Sequence, residues 1–251
     1  MEDYEYETLH RFEQNYWWFR ALRDTIETVL RRHGVEPGAR VLDAGCGTGT
    51  TAVFLSEKLS FKTYGVDISL SASKYWRGNG FHRACVGTVN SIPFRDGSFD
   101  AVIAIDVLEC NSVDEQESYA EMRRVLRRGG ILLLIVPAYK WLMSPEHHKA
   151  VHASRRYTRP ELLSLLKTNS MALVRMSHLF MSVFPAIAVY RLTRRTKGMR
   201  GNGHPHSELT PLPKLANQLL FKSVHWERHL LGAVDLPFGS SLLAVARKTE
   251  G

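Results

Sequence analysis

The sequence predicts an α/β fold in which a mostly parallel sheet is flanked by helices, and three observations predict it. Short apolar runs at 40–44, 62–66, 101–105 and 131–136 stop at a turn, an acid or a proline, and segments of helical periodicity separate them. Glycines occupy the alternate positions 45, 47 and 49 directly after the first run. An acid, Asp67, closes the second run 22 residues beyond Gly45. Strands alternating with helices imply parallel neighbours joined by right-handed crossovers.

Residues 1 to 33 begin acidic and aromatic and continue as a helix, because Leu22, Ile26, Val29 and Leu30 fall on one face. Tyr16-Trp17-Trp18-Phe19 stands at its start. Four consecutive large aromatics cannot all pack inward from one helix face, which leaves two readings open: packing on the main domain, or a lid over a ligand mouth. Pro37-Gly38 breaks the chain before the first strand, and Ala52, Val53, Leu55 and Leu59 give the helix after the glycine turn. A second strand over Lys62 to Val66, a helix from Leu70 to about Arg77, a short strand around Ala84 to Val86 and a loop from Gly87 to Ser98 follow. Ala101 to Ile105 is nearly all apolar, as a central parallel strand should be. A helix through Met122 and Val125 to Arg128 leads to a strand from Ile131 to Val136, stopped by Pro137. The next segment reads as a loop until Thr158 and Glu161, which form a capping box with Pro160 in the first turn of a helix to about Thr168. Met171 to Val174 reads as a strand, Leu179 to Pro237 as helices with a flexible break at Gly198 to Pro205, and Ser241 to Ala246 as the last strand. The expected organisation is an N-terminal helical lid at 1–38, a ligand-binding core at 39–178, a basic helical cover at 179–237 and a final core strand within 238–251.

The chemistry begins at the turn. A buried strand passing sharply into a helix at Thr50 presents peptide N–H groups to a ligand, and glycine supplies both the dihedrals and the close approach. The dinucleotide fingerprint counted from Gly45 needs its third glycine at position 50, where Thr50 stands, so the pattern is D-x-G-x-G-x-G instead. An acid about 20 residues beyond such a turn, ending the next strand, accepts hydrogen bonds from both hydroxyls of a ribose, which assigns Asp67. In these residues the sequence resembles the class I S-adenosylmethionine (SAM)-dependent methyltransferases. The likeness continues through Asn90 to Phe94, Asp96 to Asp100, Asp106 to Cys110 and Leu126 to Pro137. One subgroup is resembled further in Tyr16 to Arg20 (YWWFR), Ser144-Pro145, Arg155 to Thr158 (RRYT) and Leu236 to Lys248 (LPFGSSLLAVARK).

The resemblance implies a Rossmann-like, seven-stranded sheet with its last strand antiparallel, helices on both faces, and SAM as cofactor. It places Asp43, Gly45, Gly47 and Gly49 around the methionine end, Asp67 at the ribose, Thr88, Val89, Asn90 and Ser91 at the adenine, and Asp106 at the mouth, with Cys46 and Ile68 also binding the cofactor. Trp18 and Arg20 join them, Trp18 as an aromatic face for a cationic sulfur. Relatives carry an acid where this chain has Thr88, a histidine at Cys110, and an acid and a histidine at the positions of His148 and Ala153. These four departures imply a different acceptor, or an activity that is altered or lost.

The acceptor's proton, where it has one, requires a base. His148 and His152 are the candidates by residue type in a loop that faces the acceptor in this fold, with Tyr157 and Glu109 in reserve. His148 and His152 are four apart, as are His225 and His229, but His225-Trp226-Glu227-Arg228-His229 is not H-E-x-x-H, so no metal site is expected. Nucleophilic catalysis lacks a G-x-S-x-G elbow. The reading is a SAM-dependent methyltransferase for a small or lipid-linked acceptor. The alternatives are a non-catalytic protein of the same fold acting through a partner and, further off, a nicotinamide oxidoreductase.

Composition bounds the partners. The chain has 251 residues, 44% of them apolar and 23% charged, which is ordinary globular usage. Cys46, Cys85 and Cys110 are an odd number without a C-x-x-C pair, and Glu2, Asp3, Glu5 and Glu7 stand where a signal peptide would be basic, so a cytoplasmic protein with reduced thiols is expected. The formal charge of +8 is local in origin: no acid occurs between Glu161 and Glu208, where Lys167, Arg175, Arg191, Arg194, Arg195, Lys197 and Arg200 fall. That run is a solvated face, or it meets an anionic substrate or an acidic membrane surface. No nucleic-acid motif accompanies it. The apolar stretch Leu179 to Tyr190 is 12 residues, short of the ~20 that span a bilayer.

Overall fold

The computed structural model describes residues 1–167, 170–196, 209–231 and 233–249. Helices α1 (Asp3–Glu13) and α2 (Trp17–Arg32) precede a seven-stranded sheet. The chain then runs β1 (Arg40–Ala44), α3 (Thr50–Leu59), β2 (Lys62–Asp67), α4 (Leu70–Trp76), β3 (Ala84–Val86), β4 (Phe99–Ile105), α5 (Glu115–Val125) and β5 (Leu126–Pro137). After a 3-10 turn at Lys140–Leu142 come α6 (Pro145–Val151), α7 (Arg159–Leu166), β6 (Met171–Leu179), α8 (Phe184–Thr196), α9 (Lys214–Leu230) and β7 (Ser241–Lys248). The strand order is β3-β2-β1-β4-β5-β7-β6, and β7 runs antiparallel to both of its neighbours. This is the Rossmann-like α/β sheet that the glycine turn and the strand–helix alternation predict.

Alternation along the central strands divides the core. Ile131, Leu133 and Ile135 of β5 join Ile26 and Leu30 of α2 and Leu55 of α3 on one face, while Leu132 and Leu134 join Tyr119 and Met122 of α5 and Leu162 of α7 on the other. Glu161 Oε2 accepts from the Thr158 backbone N–H at 2.9 Å and from its hydroxyl at 2.8 Å, holding the start of α7 as the capping motif predicts.

Four elements differ from the sequence expectation. The acidic opening is a helix of its own, α1, set off from α2 by residues 14–16. Helix α5 stops at Val125 and β5 begins at once, because Leu126 already pairs with Phe99. Strand β6 runs to Leu179 rather than Val174, for a register shift between Leu173 and Arg175 breaks the alternation that would have marked its second half. The expected loop after β5 contains α6, opened by Ser144-Pro145 with proline in its first turn. The Gly198–Pro205 break and the expected helix end at Thr168 lie outside the described residues.

Gly239 sets the entry into β7. A Cβ there would lie 2.0 Å from the Leu179 carbonyl oxygen, a backbone atom that cannot step aside. Gly239→Ala is expected to lower stability by about 1–3 kcal/mol, read from the urea midpoint. Gly78→Ala, whose Cβ would meet only Tyr75 O at 3.6 Å, serves as the near-neutral comparison.

Candidate active site

The C-terminal ends of β1, β2, β4 and β5 open into one cavity of about 1040 Å³, where an open parallel sheet places its ligands. The turn after β1 is folded back on β2: Gly45 N and Cys46 N both donate to Val66 O, at 2.8 and 3.1 Å, and Gly47 N donates to Asp67 Oδ2 at 2.8 Å. Ser69 N occupies Asp67 Oδ1 at 2.9 Å. A carboxylate offers about four lone-pair sites, so Asp67 retains acceptor capacity on both oxygens.

The three glycines have different reasons. Gly45 (φ +86°) and Gly49 (φ +84°) are required by their neighbours, since a Cβ would lie 2.3 Å from Val107 Cγ2 and 2.5 Å from Phe81 Cδ1 respectively. Gly47 (φ +52°) meets only Leu9 at 3.8 Å, so its freedom serves the cavity side.

Helix α1 closes the cavity over this turn and supplies residues that the sequence reading did not assign. Tyr6, Leu9 and Glu13 line the cavity, and Glu13 Oε1 accepts from the hydroxyls of Thr48 and, at 2.5 Å, Thr50. Burial raises the Glu13 carboxyl above its ordinary range. Arg23 of α2, also buried, holds the end of α1 through its carbonyls, Glu13 O at 2.6 Å and Gln14 O at 2.9 Å. No local pattern announces Glu13, because its partners lie 35 and 37 residues away.

Burial dominates the electrostatics. Asp43 is pushed up to about 7 by desolvation, with the Asp67 charge adding to it. Asp106, a non-glycine residue at φ +51° on the end of β4, is also raised to about 7 by burial, which the Arg156 guanidinium opposes. Glu109 is held well above the carboxylate range by burial and then by Asp106.

The structure brings most of the assigned residues together. Asp43, Gly45, Cys46, Gly47, Asp67, Ile68, Thr88, Val89, Asp106 and Trp18 all line the cavity, as do His148 and His152. His148 is buried on α6 with Nδ1 2.8 Å from Ser144 O, whereas His152 caps α6, half exposed, with Nε2 2.8 Å from Glu2 Oε1. The departures at Thr88, Cys110, His148 and Ala153 share this one wall system, and Cys110 bridges directly to Ala153.

Five of the assigned residues do not line the cavity. Gly49 lies behind the turn against Phe81, as above. Asn90 spans to the start of α5, donating to Ser112 O at 3.1 Å and accepting from Asp114 N at 3.1 Å, and exposed Ser91 lies outside the cavity with it. Arg20 lays its guanidinium 3.8 Å over the Phe221 ring of α9. Tyr157 is buried outside the cavity and donates its hydroxyl to Leu108 O at 3.0 Å. Burial raises that phenol. His225 of α9 pairs through Nδ1 with Asp24 Oδ2 of α2 at 2.8 Å.

Residues 42–134 match the family model described as a methyltransferase domain. The matched stretch, from β1 into β5, is that of a methyltransferase domain. The match to 24-methylenesterol C-methyltransferase 2 of Oryza sativa subsp. japonica is 30% identical over 150 residues, 54% of this chain and 40% of that protein. Squalene methyltransferase 1 of Botryococcus braunii is 27% identical over 120 residues, 45% of this chain and 30% of that protein. The aligned segment thus spans less than half the length of these relatives. Among solved structures, geranyl diphosphate C-methyltransferase of Streptomyces coelicolor A3(2) superposes with a TM-score of 0.55 at 17% identity, covering 90% of this chain and 79% of that one. The [4+2]-cyclase SpnF superposes with a TM-score of 0.58 at 21% identity, covering 93% and 83%. The domain's fold therefore carries more than one chemistry.

Two outcomes follow from the buried groups. Asp43 in the folded domain sits above its ordinary value of 3.8, so its protonated form favours the fold. That contribution is complete below about pH 4 and lost as pH rises to about 7, at no more than about 1.4 kcal/mol per pH unit. Urea denaturation at pH 5 and pH 7.5 should show wild type losing stability with pH and Asp43→Asn losing less. Tyr157→Phe should cost only about 1 kcal/mol in the same assay, because Arg155 Nη1 still donates to Leu108 O, and should leave ligand affinity unchanged.

Proposed function

We propose that the chain is a SAM-dependent methyltransferase acting on a small or lipid-linked acceptor with an apolar body. The carrying observation is the glycine turn hydrogen-bonded to Asp67 at the wall of a cavity of about 1040 Å³, the upper end of the range for ligand sites and so large enough for a cofactor and an acceptor together. Bound there, SAM supplies a methyl group on a leaving sulfur that is already cationic. The chain's part is to bind, orient and exclude water. Asp67 takes the ribose hydroxyls on its remaining lone pairs, Thr88 and Val89 border the adenine, and Glu13 with the turn faces the amino end of the methionine. Trp18, stacked on Phe180 at 5.7 Å, stands ready for the sulfonium.

Glu13 also weighs against the nicotinamide reading. A buried carboxyl hydrogen-bonded to Thr50, at the position where the dinucleotide fingerprint needs glycine, would put an acid and a side chain where a pyrophosphate needs close approach to the backbone. Trp17, Leu22, Leu142 and Ile187 give the cavity apolar walls, which together with the sterol and squalene relatives supports an apolar acceptor. Among the described residues no helix is long and apolar enough to cross a membrane. Leu215, Leu219 and Trp226 lie exposed along one stripe of α9 with Lys222 between them, which supports peripheral contact with an anionic bilayer. A second reading, another chemistry or none on the same fold, draws on the four departures at one wall. Formation of S-adenosylhomocysteine (SAH) with an acceptor separates the two.

Titration calorimetry is expected to show SAM and SAH binding and NAD failing to bind. Asp67→Ala should weaken SAM more than tenfold through loss of charge-assisted hydrogen bonds. Binding of NAD alone would overturn the reading.

A further inference from the structure

Glu109 is a buried acid with an unmet hydrogen bond. It lines the cavity at 6% exposure, and its Oε2 has no hydrogen-bond partner among the described residues. Buried polar groups in folded proteins are paired in the large majority of cases, so an orphan carboxyl oxygen in a ligand cavity points to a donor that arrives with the ligand.

The turn that carries Glu109 is braced from behind. Arg155 Nη1 donates to Leu108 O, Cys110 O and Val113 O at 2.9–3.1 Å, Tyr157 donates to Leu108 O, and Ser154 N donates to Glu109 O at 3.0 Å. The turn begins at Asp106 with a positive φ that a β-carbon disfavours, and such strain persists where surrounding contacts over-determine it. The acid is therefore held in place before any ligand enters.

The sign of the cavity restricts what that ligand is. Seven carboxyls line it against three guanidinium groups. All three of these arginines donate to backbone carbonyls, Arg23 at the end of α1, Arg156 to Ala138 O at 2.6 Å and Arg191 to Leu142 O at 3.2 Å. A carboxylate or phosphate entering beside Asp106 and Glu109 would have to be desolvated there and would hold both acids in their protonated forms, whereas an amine cation lets one of them ionise and an alcohol donates to it.

We infer that Glu109 Oε2 receives a hydrogen bond from an O–H or N–H of the methyl acceptor, and that the acceptor lobe takes apolar alcohols and amines and excludes carboxylates and phosphates. The inference rests on the methyltransferase reading and narrows its acceptor. It narrows the reading away from the anionic substrate that the basic run between Glu161 and Glu208 allows; among the described residues of that run, Arg191 lines the cavity.

The test uses the full chain saturated with SAH and three eight-carbon probes, octylamine, 1-octanol and octanoate, titrated by ligand-observed NMR. Octylamine and octanol are expected to bind, with octanoate at least tenfold weaker than octylamine. Glu109→Gln should shrink that gap to under threefold while SAH affinity stays within twofold, and Glu109→Asp, which keeps the charge, should preserve the order. Octanoate binding as well as octylamine, no probe binding to the SAH-loaded protein, or an unchanged gap in Glu109→Gln overturns the inference and leaves the cofactor reading standing. Failure of SAH itself to bind overturns the methyltransferase reading, and this inference with it.

Discussion

The hydrogen bond from the Gly47 N–H to the Asp67 carboxylate is the constraint on which the site depends. It joins the turn after β1 to the end of β2, so the same acid that is placed for a ligand also fixes the loop beside it. Val66 O completes the join by accepting from Gly45 and Cys46. The neighbours then pack too closely for side chains: Val107 over Gly45, Phe81 over Gly49. Glycine spacing here is set as much by core packing as by ligand approach.

Two further elements complete the cavity from opposite sides. Helix α1 closes over the turn through Glu13, whose carboxyl gathers the hydroxyls of Thr48 and Thr50, while Arg23 fixes the helix end from α2. Across the cavity, Arg155 and Tyr157 hold the turn after β4 by donating to its carbonyls. The RRYT segment thus acts through position rather than chemistry. It presents Asp106 and Glu109 to the cavity from a backbone that is already fixed.

Burying several carboxyls around one space has an energetic consequence. Each is costly to ionise where it is buried, as the raised Asp43, Asp106 and Glu109 reflect, and each favours a neighbour bearing positive charge or hydrogen-bond donors. A cationic sulfonium and a donor-bearing acceptor both meet that demand.

The sequence by itself determined the sheet, the glycine turn and Asp67, because each is encoded by local signals: apolar runs of strand length, glycines where dihedrals are unusual, and an acid at a fixed distance. It also determined that Thr50 excludes the dinucleotide pattern. Only the tertiary structure decided which side chains face the ligand. Arg20 turned to Phe221, Tyr157 turned inward to Leu108, and Glu13 came to the turn from 35 residues away. Orientation of this kind depends on which helix packs against which neighbour, and no local periodicity carries that information. The second half of β6 was hidden for a related reason, since the register shift after Leu173 is fixed by pairing with β7 rather than by its own residues.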